Sequence, residues 1–222
     1  MPEPELFWIS GSPPSWRVML ALETKAIRYR STRLDTAQRE HKTPRFLAIN
    51  PRGQVPVLRA GKLVIRESLA IIAFLDRLQP EPPLFDRNSA ETARIWQQVF
   101  EFENHLRPAL ATIARILFHG DQNENSAELA RALATVNSEL PGWETALAEH
   151  GPQGVETPSA AEIVLYPGLK WLERALAQAA DNNDCIALGK RLNASPALRK
   201  LNTAIESLPG YDRTYPPHWR NA

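Results

Sequence analysis

Hydrophobic positions along the chain keep two different rhythms. Up to residue 80 they come in short runs broken by turn-forming residues. Leu6-Phe7-Trp8-Ile9 has no polar break, which predicts a buried strand. Ser10-Gly11-Ser12-Pro13-Pro14-Ser15 is punctuation. Val18, Met19 and Leu22 then fall at helical spacing and predict a helix over 16–23. Tyr29 to Leu34 alternates and predicts a second strand, and a polar segment over 35–42 follows. A short helix is expected over 43–49, with Pro44 in its first turn. Beyond the turn Asn50-Pro51-Arg52-Gly53, Val55 to Leu58 reads as a strand. Leu63-Val64-Ile65 reads as its hairpin partner across Ala60-Gly61. Ser68 to Leu78 is a helix with an apolar face of Ile71, Ile72, Phe74, Leu75 and Leu78. The order β-α-β-α-β-β-α predicts an α/β unit.

Pro80-Glu81-Pro82-Pro83 stops that helix, and from there the rhythm is helical only. Ile95, Val99, Phe102, Leu106, Leu110, Ile113 and Leu117 mark one face of a long helix, which Pro108 is expected to kink. Leu129, Leu133, Val136, Leu140, Trp143 and Leu147 mark a second, with Pro141-Gly142 expected to bend or interrupt it. Ser159-Ala160-Ala161-Glu162 reads as a capping box before a helix carrying Ile163, Tyr166, Leu169, Leu172 and Leu176. Ser195-Pro196 opens a last helix, with the serine as N-cap and Leu198, Leu201, Ile205 and Leu208 on its apolar face. Tyr211 to Ala222, rich in proline and aromatics, is expected to be irregular.

Composition narrows the classes of function. The chain has 222 residues and a net charge of +1, so no bulk charge draws it to nucleic acid or an acidic membrane. That balance conceals a split: residues 1–80 carry 13 basic and 7 acidic residues, the remainder 13 and 18. The asymmetry suggests two units with different tasks; uneven solvated faces explain it as well. The single cysteine, Cys185, excludes an intrachain disulfide framework and a C-x-x-C redox pair, and fits a reducing compartment. The longest apolar run, Leu69 to Leu75, is seven residues against the roughly 18 of a membrane span. The N-terminal Met-Pro-Glu-Pro-Glu lacks the basic start and apolar core of a signal peptide. A soluble, cytoplasmic protein is therefore expected. The five histidines show no metal-ligand spacing, so no metal site is expected, and no G-x-G-x-x-G, P-loop or G-x-S-x-G motif occurs.

Four local signatures occur in order. Gly11-Ser12-Pro13-Pro14-Ser15-Trp16-Arg17-Val18 resembles the active-site loop of the serine-type cytosolic glutathione transferases, and its Ser-Trp-Arg-Val part is similar to the zeta class. Asn50 to Leu58 resembles the family's N-P-x-x-x-[VI]-P-x-L segment. Glu67-Ser68-Leu69-Ala70-Ile71 resembles [EQ]-S-x-A-I, and Ser159 to Ile163 resembles the capping box of the second domain, with Glu162 where the family usually has Asp. The resemblance implies a thioredoxin-like α/β N-terminal domain over 1–80, a linker over 81–87 and an all-helical C-terminal domain over 88–222. It also implies glutathione as co-substrate and a homodimer.

It further implies roles for individual residues. A free thiol has a pKa near 8.5, so a transferase must stabilise the thiolate, with a hydrogen-bond donor and the positive end of a helix dipole as its means. Ser12 takes the catalytic position, its hydroxyl donating to the glutathione sulfur; a loop or capping serine is the plainer reading. Ser15 is read as the true N-cap. Pro56 resembles the family's cis-proline, which would turn the Val55 backbone toward the ligand, while an ordinary edge-strand proline fits the sequence too. Glu67 and Ser68 match the site for the γ-glutamyl ammonium and carboxylate, and Gln54 a contact to the peptide backbone. His41 and Lys42 lie where related classes hold the glycyl carboxylate. His105, Arg107 and Arg115 are polar candidates for the side facing a small hydrophobic electrophile, Trp171 and Trp219 apolar ones. Arg17 faces either the His41–Lys42 loop or solvent, and solvent is the usual place for an arginine.

Conjugation of glutathione, as in detoxification, is the leading expectation. A zeta-like glutathione-dependent isomerase, of the maleylacetoacetate isomerase kind, is the second. That class usually has Ser-Ser-Cys ahead of its Trp-Arg, where this chain has Ser12-Pro13-Pro14. A non-catalytic binding or stress-response protein on the same fold is the third.

Overall fold

The computed structural model describes residues 3–120, 125–151, 157–179 and 181–220. The chain divides into two compact units: residues 1–85 together with 208–222, and residues 86–207.

The first unit is built on a four-stranded sheet of β1 (Glu5–Trp8), β2 (Arg30–Arg33), β3 (Val57–Ala60) and β4 (Leu63–Arg66), in the order β2-β1-β3-β4. β1 and β2 run parallel, with Leu6 opposite Ser31. Parallel neighbours need a crossover, which α1 (Pro13–Thr24) supplies. β3 is antiparallel to both β1 and β4, and the β3–β4 hairpin turns at Gly61, whose φ of +63° glycine adopts without strain. α2 (Pro44–Leu47) begins where Thr43 caps the Phe46 N–H, and α3 (Ser68–Leu78) has the bounds its apolar pattern predicts. Leu6, Val57, Leu58, Ile71, Ile72 and Leu75 are wholly buried and form the centre of this unit.

Two buried charges brace the unit. The Lys25 side chain is inaccessible and meets Asp76 Oδ1 at 2.5 Å, while the Leu84 N–H donates to the same oxygen at 2.7 Å. Glu5, on the central strand, is bound by Arg30 at 2.7 Å, by the Thr32 hydroxyl at 2.8 Å and by Arg59. Burial pushes the Glu5 carboxyl up, but the bonds from Arg30 and Thr32 and the charges of both arginines outweigh it and hold the group below its ordinary value.

The second unit is helical: α4 (Ser89–Glu101), α5 (Arg107–His119), α6 (Ser126–His150), α7 (Ala160–Leu176), α8 (Asn183–Ala194) and α9 (Pro196–Glu206). Pro108 stands in the first turn of α5. It has no N–H and its ring collides with the carbonyl of residue 104, so the long helix is broken by a π-helical turn, Phe102–Leu106, in which the Arg107 N–H reaches back to Phe102 O. Pro141-Gly142, by contrast, do not interrupt α6. Both are exposed, and the neighbours Leu140, Trp143 and Leu147 hold the buried face in register. The Ser159 N–H donates to Glu162 Oε2 at 2.5 Å, closing the predicted capping box at the start of α7. Ser195 caps α9 through the Leu198 N–H.

One helix went unpredicted. α8 carries Cys185, Leu188 and Leu192 on one face and is capped by Asn182, whose Oδ1 takes the Asp184 and Cys185 N–H groups. The C-terminal segment corrects two expectations, its irregularity and its membership in the helical domain. It forms α10 (Tyr211–Thr214) and a 3-10 turn (Pro217–Trp219), and it groups with the first unit. The physical reason is aromatic: Trp16 of α1 lies edge-on to Tyr215 at 5.6 Å and to Trp219 at 5.5 Å, and its indole N–H donates to Thr214 Oγ1 at 2.9 Å.

Candidate active site

Ser12 is the N-cap of α1, in extended conformation, and this corrects the choice of Ser15. Prolines 13 and 14 occupy the first two helical positions, where a missing N–H costs nothing and a fixed φ suits the helix. The helix therefore begins three residues before the predicted Trp16. The Ser15 N–H lies 3.4 Å from Ser12 Oγ, and Ser12 O takes the Trp16 N–H at 2.9 Å. Ser15 itself is buried in the first turn, its Oγ without a hydrogen-bond partner.

This geometry sets the chemistry of the Ser12 hydroxyl. Its oxygen accepts from the helix, so its proton is available to a ligand. The two prolines remove two of the backbone donors that a helix N-terminus normally offers an anion. The side-chain hydroxyl is therefore the outstanding donor at this helix end, and the helix dipole adds positive potential around it.

On the neighbouring helix, Ser68 is the first residue of α3, 4% exposed, behind Glu67 at a φ of +67°. Arg17, expected at the surface, is only 5% exposed and donates from Nε to Ser68 Oγ at 2.8 Å. Sequence separation hid this pair, although both members lie in the quoted motifs. The bond occupies an acceptor position on Ser68 and leaves its hydroxyl able to donate. Ser68 O–H and the N-terminus of α3 thus present donors for a carboxylate, while Glu67, exposed beside them, offers an anion for an ammonium. These residue types fit the γ-glutamyl end of glutathione.

The segment before β3 supplies the remaining candidates. The Val55–Pro56 bond is cis. Val55 is half-buried, Pro56 buried and Gln54 exposed, with the Gln54 carbonyl held by Asn50 Nδ2 at 2.7 Å. His41 lies in a 3-10 turn (Glu40–Lys42), its Nδ1 buried without a partner, while Lys42 Nζ donates to Gly53 O at 3.0 Å. Gly53 is needed at a φ of +58°, and a Cβ there would lie 2.8 Å from His41 O.

The second unit holds the other three candidates. His105 is exposed in the π-helical turn, Arg107 is exposed and pairs with Glu103 at 3.6 Å, and Arg115 is exposed and pairs with Glu128 at 2.7 Å. Trp171 is half-buried on α7, and Trp219 belongs to the first unit. Cys185 is buried, and burial followed by the charge of Asp184 pushes its thiol up, away from reactivity. Among the described residues, no group of histidine, cysteine or carboxylate side chains is arranged to hold a metal ion.

Residues 11–78 match the family model of the glutathione S-transferase N-terminal domain. Over 225 residues the chain is 28% identical to glutathione S-transferase A of Pleuronectes platessa, covering 96% of this chain and 92% of that protein. It is 25% identical over 228 residues to a maleylacetoacetate isomerase of Pseudomonas aeruginosa, covering 96% and 95%. The crystal structure of a glutathione S-transferase from the Antarctic clam Laternula elliptica superposes with a TM-score of 0.76 at 28% identity, covering 99% of this chain and 95% of the other. With a thioredoxin-like sheet in one unit, helices in the other and these relatives along its length, the chain is similar to the glutathione S-transferases, and its residues 11–78 match the N-terminal domain of that family.

Proposed function

We propose that the protein is a glutathione transferase in which Ser12 stabilises the glutathione thiolate. Once bound, glutathione supplies the nucleophilic sulfur, which displaces a leaving group from, or adds to, a small hydrophobic electrophile. The observation that carries this reading is the Ser12 hydroxyl at the N-cap of α1, its oxygen engaged by the helix and its proton available. A hydroxyl donating to a sulfur anion favours the charged form and lowers the thiol pKa. Ser68 and the α3 N-terminus receive the γ-glutamyl carboxylate, Glu67 the ammonium, the Val55 backbone before Pro56 the cysteinyl unit, and Gln54 and His41 the rest of the peptide. His105, Arg107 and Arg115 are proposed for the electrophile side; the glutathione domain is proposed over 1–80 together with the C-terminal segment, and the electrophile domain over the helical unit after the linker.

The zeta-like isomerase is the second reading, favoured by Ser15-Trp16-Arg17-Val18 and by the relatedness to a maleylacetoacetate isomerase. A homodimer is proposed too: on α4, Phe100 is 52% exposed and stacks on Trp96 at 5.7 Å, an aromatic surface suited to a second copy. Light scattering at micromolar concentration is expected to return twice the chain mass. A cytoplasmic location accords with the single cysteine and with the lack, among the described residues, of a helix long and apolar enough to cross a membrane.

The test is glutathione affinity together with conjugation and cis–trans isomerisation rates, for wild type and Ser12→Ala. The alanine variant is expected to bind glutathione and to lose about 10²-fold or more in kcat, the scale for one oxyanion donor. Full activity in Ser12→Ala removes the serine from its role, and binding without turnover on a broad electrophile panel supports a binding protein.

A further inference from the structure

The loop that carries Ser12 is tied on both sides to the C-terminal segment. Ahead of Ser12, Ser10 Oγ is hydrogen-bonded to His218 Nδ1 at 2.8 Å. Between the two serines stands Gly11, at a φ of +78°. A Cβ built there would lie 2.8 Å from His218 Cε1 and 3.3 Å from Trp219 Nε1, so the imidazole and the indole rest against this turn. Behind Ser12, Trp16 is held by the same segment through the Thr214 hydroxyl and the Trp219 ring. Trp219 is 8% exposed, although it lies three residues from the last position.

Such ties have a purpose at this loop. Gly11 gives the backbone its greatest freedom immediately before the residue whose hydroxyl must be aimed within tenths of an ångström. On its helical side Ser12 caps α1; on its strand side one long turn bond, from the Ser12 N–H to Ile9 O at 3.3 Å, is joined by what packs against the loop. We propose that His218 is a positioning residue for the Ser12 hydroxyl, acting through Ser10 and, with Trp219, through Gly11. This rests on the function proposed above and adds to it a role for the C-terminal segment. The contacts given above join the clamp to the Ser12 loop, at the sulfur end of the proposed site. Loosening the clamp therefore lowers thiolate stabilisation and turnover and leaves the grip on the γ-glutamyl group intact.

The test uses the full chain and four variants: Ser10→Ala, His218→Ala, the double variant, and His218→Asn, whose amide oxygen replaces Nδ1. Two readouts are taken. The first is kcat and KM for glutathione with a chlorodinitrobenzene electrophile. The second is hydrogen exchange of the peptide spanning residues 9–16 in the ligand-free protein. Each single alanine variant is expected to lower kcat about 3- to 10-fold, the scale of one hydrogen bond, with KM within about twofold. Loop exchange should quicken by a similar factor. The double variant should be no worse than either single one, and His218→Asn should recover most of the loss. Unchanged kcat and exchange in His218→Ala, or single losses that multiply in the double variant, overturn the proposal. A wild type that fails to bind glutathione overturns the function above, while the exchange readout still decides the clamp for or against.

Discussion

Ser68→Ala separates a ligand-binding hydroxyl from a structural one, and its effect can be worked out from one distance and two burials. Ser68 and Arg17 are 4% and 5% exposed, and Nε lies 2.8 Å from Oγ. Removing Oγ leaves a buried charged donor without this acceptor, and water does not replace it. Hydrogen bonds to charged groups are worth about 1.5–3 kcal/mol, and for a chain of this size each kcal/mol moves Tm by roughly 2–4 °C. A fall of about 3–12 °C in Tm by circular dichroism is expected. The same hydroxyl donates to the γ-glutamyl carboxylate in the proposed function, and losing that charge-assisted bond weakens glutathione about 10- to 150-fold by calorimetry. Arg17→Met discriminates further. It removes the brace and keeps the hydroxyl, so Tm falls while affinity falls less than in Ser68→Ala. A lower Tm with unchanged affinity in Ser68→Ala reduces Ser68 to a brace; no change in either quantity refutes the reasoning at its root.

Other expectations concern the frame of the site. Asp76→Asn leaves the inaccessible Lys25 ammonium facing a neutral amide, at a cost of about 3–5 kcal/mol read as a lower urea midpoint. Glu5 is held below its ordinary value, so its contribution is complete above the unfolded pKa near 4.3 and is lost as pH falls from there through the lower folded value. Glu5→Gln is expected to flatten the stability curve in that acid range and to lower stability at neutral pH, both measured by urea titration. Gly168→Ala sets a Cβ 2.7 Å from Phe102 Cζ inside the helical unit and is expected to cost about 1–3 kcal/mol in the same assay.

What could be read in advance was whatever a few neighbouring residues decide. The bounds of α3, the Ser159–Glu162 box, the Ser195-Pro196 start and the disturbance at Pro108 all follow from side chains within about one turn of one another. The errors at short range came from incomplete use of the same rules. Two prolines at N1 and N2 put the cap at Ser12 rather than Ser15, and Asn182 with Cys185, Leu188 and Leu192 announced α8. The errors at long range have a different cause. Arg17 is 51 positions from Ser68, and Ser10 is 208 positions from His218; no periodicity spans such a separation. These distant pairs decide what the motif serines do. A serine motif locates a hydroxyl and leaves its hydrogen bond open, because the group both donates and accepts. Ser12 and Ser68 each accept from an N–H of the protein, one from its own helix and one from Arg17 on the neighbouring α1. With their oxygens so engaged, both protons are left for an anionic ligand, and two hydroxyls that composition reads as ordinary caps become a matched pair of donors.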